Sequence, residues 1–98
     1  MLQILNEKSE LMAELPPELT SEKLLEMYKT MVLTRALDRK LAAMNLQGRI
    51  ASYYRCEGQE AHVGAAMGMG NNDWIYPAYR EMGMWLVQGM TIETVLRL

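Results

Sequence analysis

Between Ser21 and Gln47, apolar residues return every three or four positions, at Leu24, Met27, Tyr28, Met31, Leu37, Leu41 and Met44, with no Gly or Pro until Gly48. That period matches the turn of an α-helix and predicts one whose apolar stripe faces a core while Lys29, Arg39 and Lys40 reach water. Thr20 stands where an N-cap belongs, Glu22 favours the first turn, and Gly48 suits the left-handed position that closes a helix. Upstream, residues 1–15 carry a broken helical period with weak caps. Pro16-Pro17 stops any helix there, because proline lacks the N–H and restricts the residue before it. The pattern divides the chain into an N-terminal arm, 1–17, and one unit, 18–98.

Further along, the pattern shortens. Arg49 to Glu57 mixes β-branched and aromatic residues over few positions and reads as an extended connector or loop. From Gly58, GQEAHVGAAMGMG sets Ala61, Gly64, Ala65 and Gly68 on one side of a second helix, where missing side chains imply close packing. Gly64, Gly68 and Gly70 imitate a phosphate loop, but they stand late in that helix rather than at its start, so packing is the better reading. Asn71-Asn72-Asp73 is a turn cluster, Trp74-Ile75-Tyr76 a short apolar run, and Pro77 precedes a helix-like AYREMGMWLVQG. Thr91 caps a last helix, TIETVLRL, and a chain that stops inside such a helix without a closing cap reads as a fragment. No repeat or low-complexity tract interrupts 18–98, and the elements predict a mainly α segment.

Composition narrows this picture. Half of the 98 residues are hydrophobic and 22% are charged, a globular balance; Phe is absent, and ten Met, five Tyr and two Trp supply core material. Methionine fills irregular gaps, so the core is soft, and a chain this short gains marginal stability from it alone. A net charge of −2 with no basic stripe argues against nucleic acid as a partner. The single Cys56 excludes an internal disulfide and fits a reducing compartment, and one Cys with one His gives no metal-ligand cluster. Residues 1–19 match neither a secretory signal nor an Arg-rich transit peptide, and no apolar run of about 18 residues is present to span a membrane. The expected location is the cytoplasm.

General chemical motifs are missing: no P-loop, no GxGxxG after a strand, no GxSxG elbow and no paired-His metal site. The lone His62 reads as structural or exposed rather than as a general base. Tyr79-Arg80 is different, because a phenol and a planar guanidinium at a helix start, just after Pro77, suit an oxyanion such as phosphate. Taken alone, a packed Tyr beside a surface Arg is the commoner reading of such a pair.

The surrounding blocks change that weighting. GRIASYY, GQEAHVGAAMGMG and DWIYPAYREMG with a following QG come after LLEMYKTMVLTRALDRKL, which carries Tyr28, Arg35 and Asp38. In order and spacing they resemble the N-terminal third of the alpha subunits of pyruvate, branched-chain 2-oxo acid and acetoin dehydrogenases, over residues 19–98. The resemblance implies that the segment is the helical N-terminal part of an α/β thiamine diphosphate-binding fold. It implies that Tyr79 and Arg80 contact the diphosphate of thiamine diphosphate, and that Tyr53 and Tyr54 lie on the substrate side of the site. Gln59 and Glu60 become capping and positioning groups, and Arg35 and Asp38 structural or interfacial ones.

No residue of the segment is implied as catalytic or as a metal ligand. In that family Mg2+ is held by a Gly-Asp-Gly motif with a later Asn, and the glutamate that activates the aminopyrimidine lies on the beta subunit. The implied activity is oxidative decarboxylation of a 2-oxo acid with acyl transfer to the lipoyl group of a transacylase component. The expected assembly is a heterotetramer with the beta subunit, and the 98-residue piece alone is expected to be inactive. The alternative is a truncated, catalytically inactive helical homologue that serves as a binding or assembly module. Which 2-oxo acid is used stays open.

Overall fold

A computed structural model of the chain describes residues 3–70 and 72–97, among which four helices carry the fold. They are α1 (Ser21–Leu46), α2 (His62–Met67), α3 (Met82–Val87) and α4 (Ile92–Arg97). The segment is mainly α, as its periodicity predicts.

The first helix follows the predicted span closely. Thr20 Oγ1 accepts from the Lys23 N–H at 3.3 Å, satisfying one of the first-turn amides that no helical carbonyl can reach. Gly48 closes the helix at φ +69°, a conformation that side chains resist. The stripe itself is covered over part of its length. Leu37 and Leu41 are buried and Met27, Met31 and Met44 half-buried, but Leu24 and Tyr28, both expected to face a core, are exposed, Tyr28 by 64%. Length explains the correction: six-residue α2 and α3 are each about 9 Å long and cannot cover a 26-residue helix of about 39 Å. The covered face also contains polar residues, Thr34 and Asp38. Thr34 satisfies its hydroxyl by donating to the Thr30 carbonyl at 2.8 Å.

The second helix begins later than GQEA suggests, at His62, after a turn in which Gly58 takes φ +91°. It buries Val63 and Ala66, while Ala61, Ala65 and Gly68 of the small-residue side are exposed. Close approach occurs instead in α3. A Cβ on Gly83 would stand 2.8 Å from Val63 Cγ2 and 3.4 Å from Thr34 Oγ1, so this glycine lets the three helices meet. A stripe of small residues permits contact without requiring it, and here only Gly64, half-buried beside Met27, is covered.

The core gathers Leu37, Leu41, Cys56, Met82 and Val95, with Tyr53 and Trp85 packed on it. It sits against the second half of α1 and is closed by the 49–57 connector, which bends at 49–51, turns at Glu57 and forms no strand. Thr91 Oγ1 accepts from the Thr94 N–H at 3.2 Å and caps α4; Leu98, in the predicted last turn, lies outside the described residues. In the turn cluster Asp73 Oδ2 accepts from the Gly70 N–H at 2.7 Å, and Asn71 lies outside the described residues.

The N-terminal arm is not helical where described. Leu5 and Leu11 form an isolated antiparallel bridge around a turn in which Asn6 Oδ1 accepts from the N–H groups of Lys8 and Glu10, both at 2.9 Å. The asparagine amide offers the backbone a local alternative to helix. Met1 and Leu2 lie outside the described residues. Among the described residues no helix is long and apolar enough to cross a membrane, and no group of His, Cys, Asp and Glu could hold a metal ion.

Candidate functional site

The connector between α1 and α2 has an inner and an outer face. On the inner face stands Asp38, fully buried on α1. Its Oδ1 accepts from the Tyr53 hydroxyl at 2.6 Å and from the Cys56 N–H at 2.5 Å. Its Oδ2 has no hydrogen-bond partner among the described residues, and Arg55 Nε lies 3.7 Å away. A buried carboxylate is costly unless its charge is met, and here two donors and one guanidinium meet it. Burial, and then the bond to Asp38, push the Tyr53 hydroxyl far above the ordinary phenol range, so it remains a donor. Burial likewise pushes the Cys56 thiol up.

The outer face carries the rest of the predicted set. The rings of Tyr54 and Tyr79 lie with centroids 4.8 Å apart at 45°, and the Arg80 guanidinium carbon is 5.4 Å from the Tyr79 ring centroid. Arg80 Nη1 donates to the Arg55 carbonyl at 2.9 Å, and Arg80 joins no ion pair among the described residues. Tyr79-Arg80 does not begin a helix as its position after Pro77 suggested. The first helical residue is Met82, and the Arg80 N–H bonds to Glu81 Oε2 at 3.0 Å, so the pair sits on the turn before α3. Burial of Met82 and Gly83 against α1 and α2 decides where the helix starts. Any affinity of the pair for an anion therefore rests on its side chains.

The rings of Tyr53, Tyr54 and Tyr79 share the wall of a cavity of about 290 Å³ with Leu41, Met82 and Trp85. Three predicted site residues thus meet around one apolar cavity, with Arg80 beside Tyr79 as the cationic group. Such an arrangement can bind an oxyanion next to an apolar surface. His62, read as structural or exposed, is half-buried with Nδ1 unpaired among the described residues.

An ion cluster behind this loop was only faintly visible in the sequence. Arg35 pairs with Glu60 and reaches Glu57 at 3.4 Å, Arg39 reaches Glu57 at 3.6 Å, and Arg55 pairs with Glu57. Glu60 also accepts from the Gly58 N–H at 3.1 Å within the turn before α2; it does not cap that helix, whose N-cap Ala61 has no side-chain cap bond. The Arg35 bond is the main reason its carboxyl is held down to about 2. The available signal was Arg35-x-x-Asp38, two charges at a spacing that puts them on the covered side of a helix.

A family model described as "Dehydrogenase E1 component" matches residues 28–97. Among curated relatives, the chain is 45% identical over 74 residues to the 3-methyl-2-oxobutanoate dehydrogenase subunit alpha of Mycobacterium tuberculosis (strain CDC 1551 / Oshkosh), covering 74% of this chain and 20% of that protein. It is 39% identical over 80 residues to the 2-oxoisovalerate dehydrogenase subunit alpha of Bacillus subtilis (strain 168), covering 80% and 24%. It is 42% identical over 93 residues to the pyruvate dehydrogenase E1 component subunit alpha of Acholeplasma laidlawii, covering 94% and 25%. The chain spans a fifth to a quarter of the length of these relatives. No solved structure gives a significant match.

Proposed function

The chain belongs to the dehydrogenase E1 component family, and we propose that it forms part of the alpha subunit of a 2-oxo acid dehydrogenase in which Tyr79-Arg80 holds the diphosphate of thiamine diphosphate. The observation that carries this reading is the meeting of Tyr54, Tyr79 and Arg80 on one exposed face beside an apolar cavity. The residues suit the group. Arg80 is exposed, commits one N–H to the Arg55 carbonyl and joins no ion pair among the described residues, which leaves donors for phosphate oxygens. The Tyr79 hydroxyl, on a 56% exposed residue, makes no hydrogen bond among the described residues.

When bound, thiamine diphosphate supplies the electron sink that a 2-oxo acid needs to lose CO2. The work of this segment is binding and placement. Arg80 neutralises diphosphate charge, Tyr79 donates to it, and the Tyr54 ring keeps Tyr79 in position. Tyr53 and Tyr54 wall the substrate side, where Tyr53 offers its ring, since its hydroxyl is committed to Asp38. On this reading Mg2+ takes its ligands from residues outside this segment. The beta subunit completes a heterotetramer, and the acyl product passes to a lipoyl-bearing transacylase component. Residues 18–98 are then the helical N-terminal portion of an α/β domain, with 1–17 as its arm, and the segment alone is inactive.

Titration of thiamine diphosphate into the full alpha–beta assembly tests the reading. Arg80→Ala removes a charge-assisted contact and should weaken binding by about 1.5–3 kcal/mol, roughly tenfold or more. Unchanged affinity would remove the pair from the site.

A further inference from the structure

We propose that Asp38 is a positioning residue for the diphosphate site and acts through the single peptide unit between Arg55 and Cys56; this rests on the reading of Tyr79-Arg80 given above. The N–H of that peptide, on Cys56, donates to Asp38 Oδ1 at 2.5 Å, and its carbonyl, on Arg55, accepts from Arg80 Nη1 at 2.9 Å. The peptide is trans and planar, so its N–H and C=O point in opposite directions. Holding the N–H inward on the carboxylate aims the carbonyl outward at the guanidinium. Rotation of the plane would break both bonds at once.

The anchor is a firm one. Asp38 is fully buried, so water does not compete for its bonds, and its place is set by α1, the longest element of the fold. The same Oδ1 accepts from the Tyr53 hydroxyl, which pins the loop on both sides of Tyr54 and Arg55. Each member of the diphosphate pair touches this pinned stretch: Tyr79 through the Tyr54 ring, Arg80 through the Arg55 carbonyl. Bonding to a carboxylate also polarises the peptide and makes its carbonyl a better acceptor. Long flexible side chains lose freedom on binding an anion, so placing Arg80 beforehand raises affinity without a new contact to the ligand. A placement role also accounts for a buried carboxylate at a helix position where an apolar residue would pack at less expense.

The test is a double-mutant cycle in the full alpha–beta assembly, read as affinity for thiamine diphosphate and for inorganic diphosphate. Asp38→Leu should weaken both by about three- to thirtyfold, the range for coupling through a packed network. On an Arg80→Ala background the same change should add less than about twofold, since its effect runs through Arg80. Asp38→Asn keeps an oxygen acceptor of the same reach and should restore most of the affinity. Should Asp38→Leu fail to fold, Tyr53→Phe removes one of the two anchoring bonds, keeps the ring, and should weaken inorganic diphosphate about two- to threefold. Wild-type affinity in Asp38→Leu or in Tyr53→Phe, or equal losses from Asp38→Leu with and without Arg80, would overturn the inference while leaving the diphosphate reading intact. Wild-type affinity in Arg80→Ala would overturn both.

Discussion

Tyr53 turns its hydroxyl onto the buried carboxylate of Asp38, whereas Tyr54, one residue later, lays its ring against Tyr79 at the surface. The next two residues divide in the same way: Cys56 is buried and gives its N–H to Asp38, while Arg55 is exposed and gives its carbonyl to Arg80. On the proposed reading, loss of the loop's inner face is felt as stability and, through the Arg55 carbonyl, as ligand binding, whereas loss of its outer face is felt as ligand binding alone. The difference follows from burial. Inside, an orphaned donor or acceptor costs its full desolvation, while outside water replaces any lost partner.

The largest expected effect breaks the inner face. Asp38→Ala leaves the Cys56 N–H and the Tyr53 hydroxyl without their acceptor and should destabilise the protein by about 3 kcal/mol or more in urea denaturation. Gly83→Ala is next. The added methyl would meet Val63 Cγ2 at 2.8 Å, and Val63 is fully buried and stiff at χ1, so a loss of about 1–3 kcal/mol should appear in the same assay.

Tyr53→Phe and Tyr54→Phe together sharpen the comparison, since each deletes one hydroxyl from neighbouring residues. The first should destabilise by about 1–2 kcal/mol and the second by less than about 0.5 kcal/mol; equal losses would erase the distinction between the faces. The smallest effect is the pH response of the cluster behind the loop. Glu60 is held below its usual value chiefly by Arg35, so the folded state binds its proton less readily than the unfolded chain does. Its stabilisation is present above about pH 4.5 and is lost as pH falls towards 2. Glu60→Gln should flatten that part of the stability profile in acid denaturation. For Tyr53 the sign is opposite: its raised value gives stabilisation that is complete below about pH 10 and fades above it.

Much of this was readable along the chain because it is local. The period from Leu24 to Met44, Thr20 before it, Gly48 after it and Thr91 before the last turn are contacts within a few residues, and each stands where the pattern placed it. What resisted was distance. Periodicity identifies an apolar face but not what covers it, so Leu24 and Tyr28 are exposed and, on the small side of α2, Gly64 is half-buried while Ala61, Ala65 and Gly68 are exposed. The bonds that define the loop join residues far apart, 18 positions from Asp38 to Cys56 and 25 from Arg55 to Arg80, and neither pair follows from spacing. Tyr53-Tyr54 reads as one aromatic pair in sequence; only the position of Asp38 separates the two roles. The proposed site residues follow from the ordered blocks around Tyr79-Arg80, not from the chemistry of the pair.

The central claim is that Tyr79-Arg80 recognises diphosphate, and comparing two ligands tests it most directly. Binding of thiamine diphosphate and of thiamine should be measured by calorimetry on the full alpha–beta assembly, with and without Arg80→Ala. The claim predicts a loss of roughly tenfold or more for thiamine diphosphate and about none for thiamine, which has no phosphate to hold. Equal losses for the two ligands, or no loss for either, would contradict it.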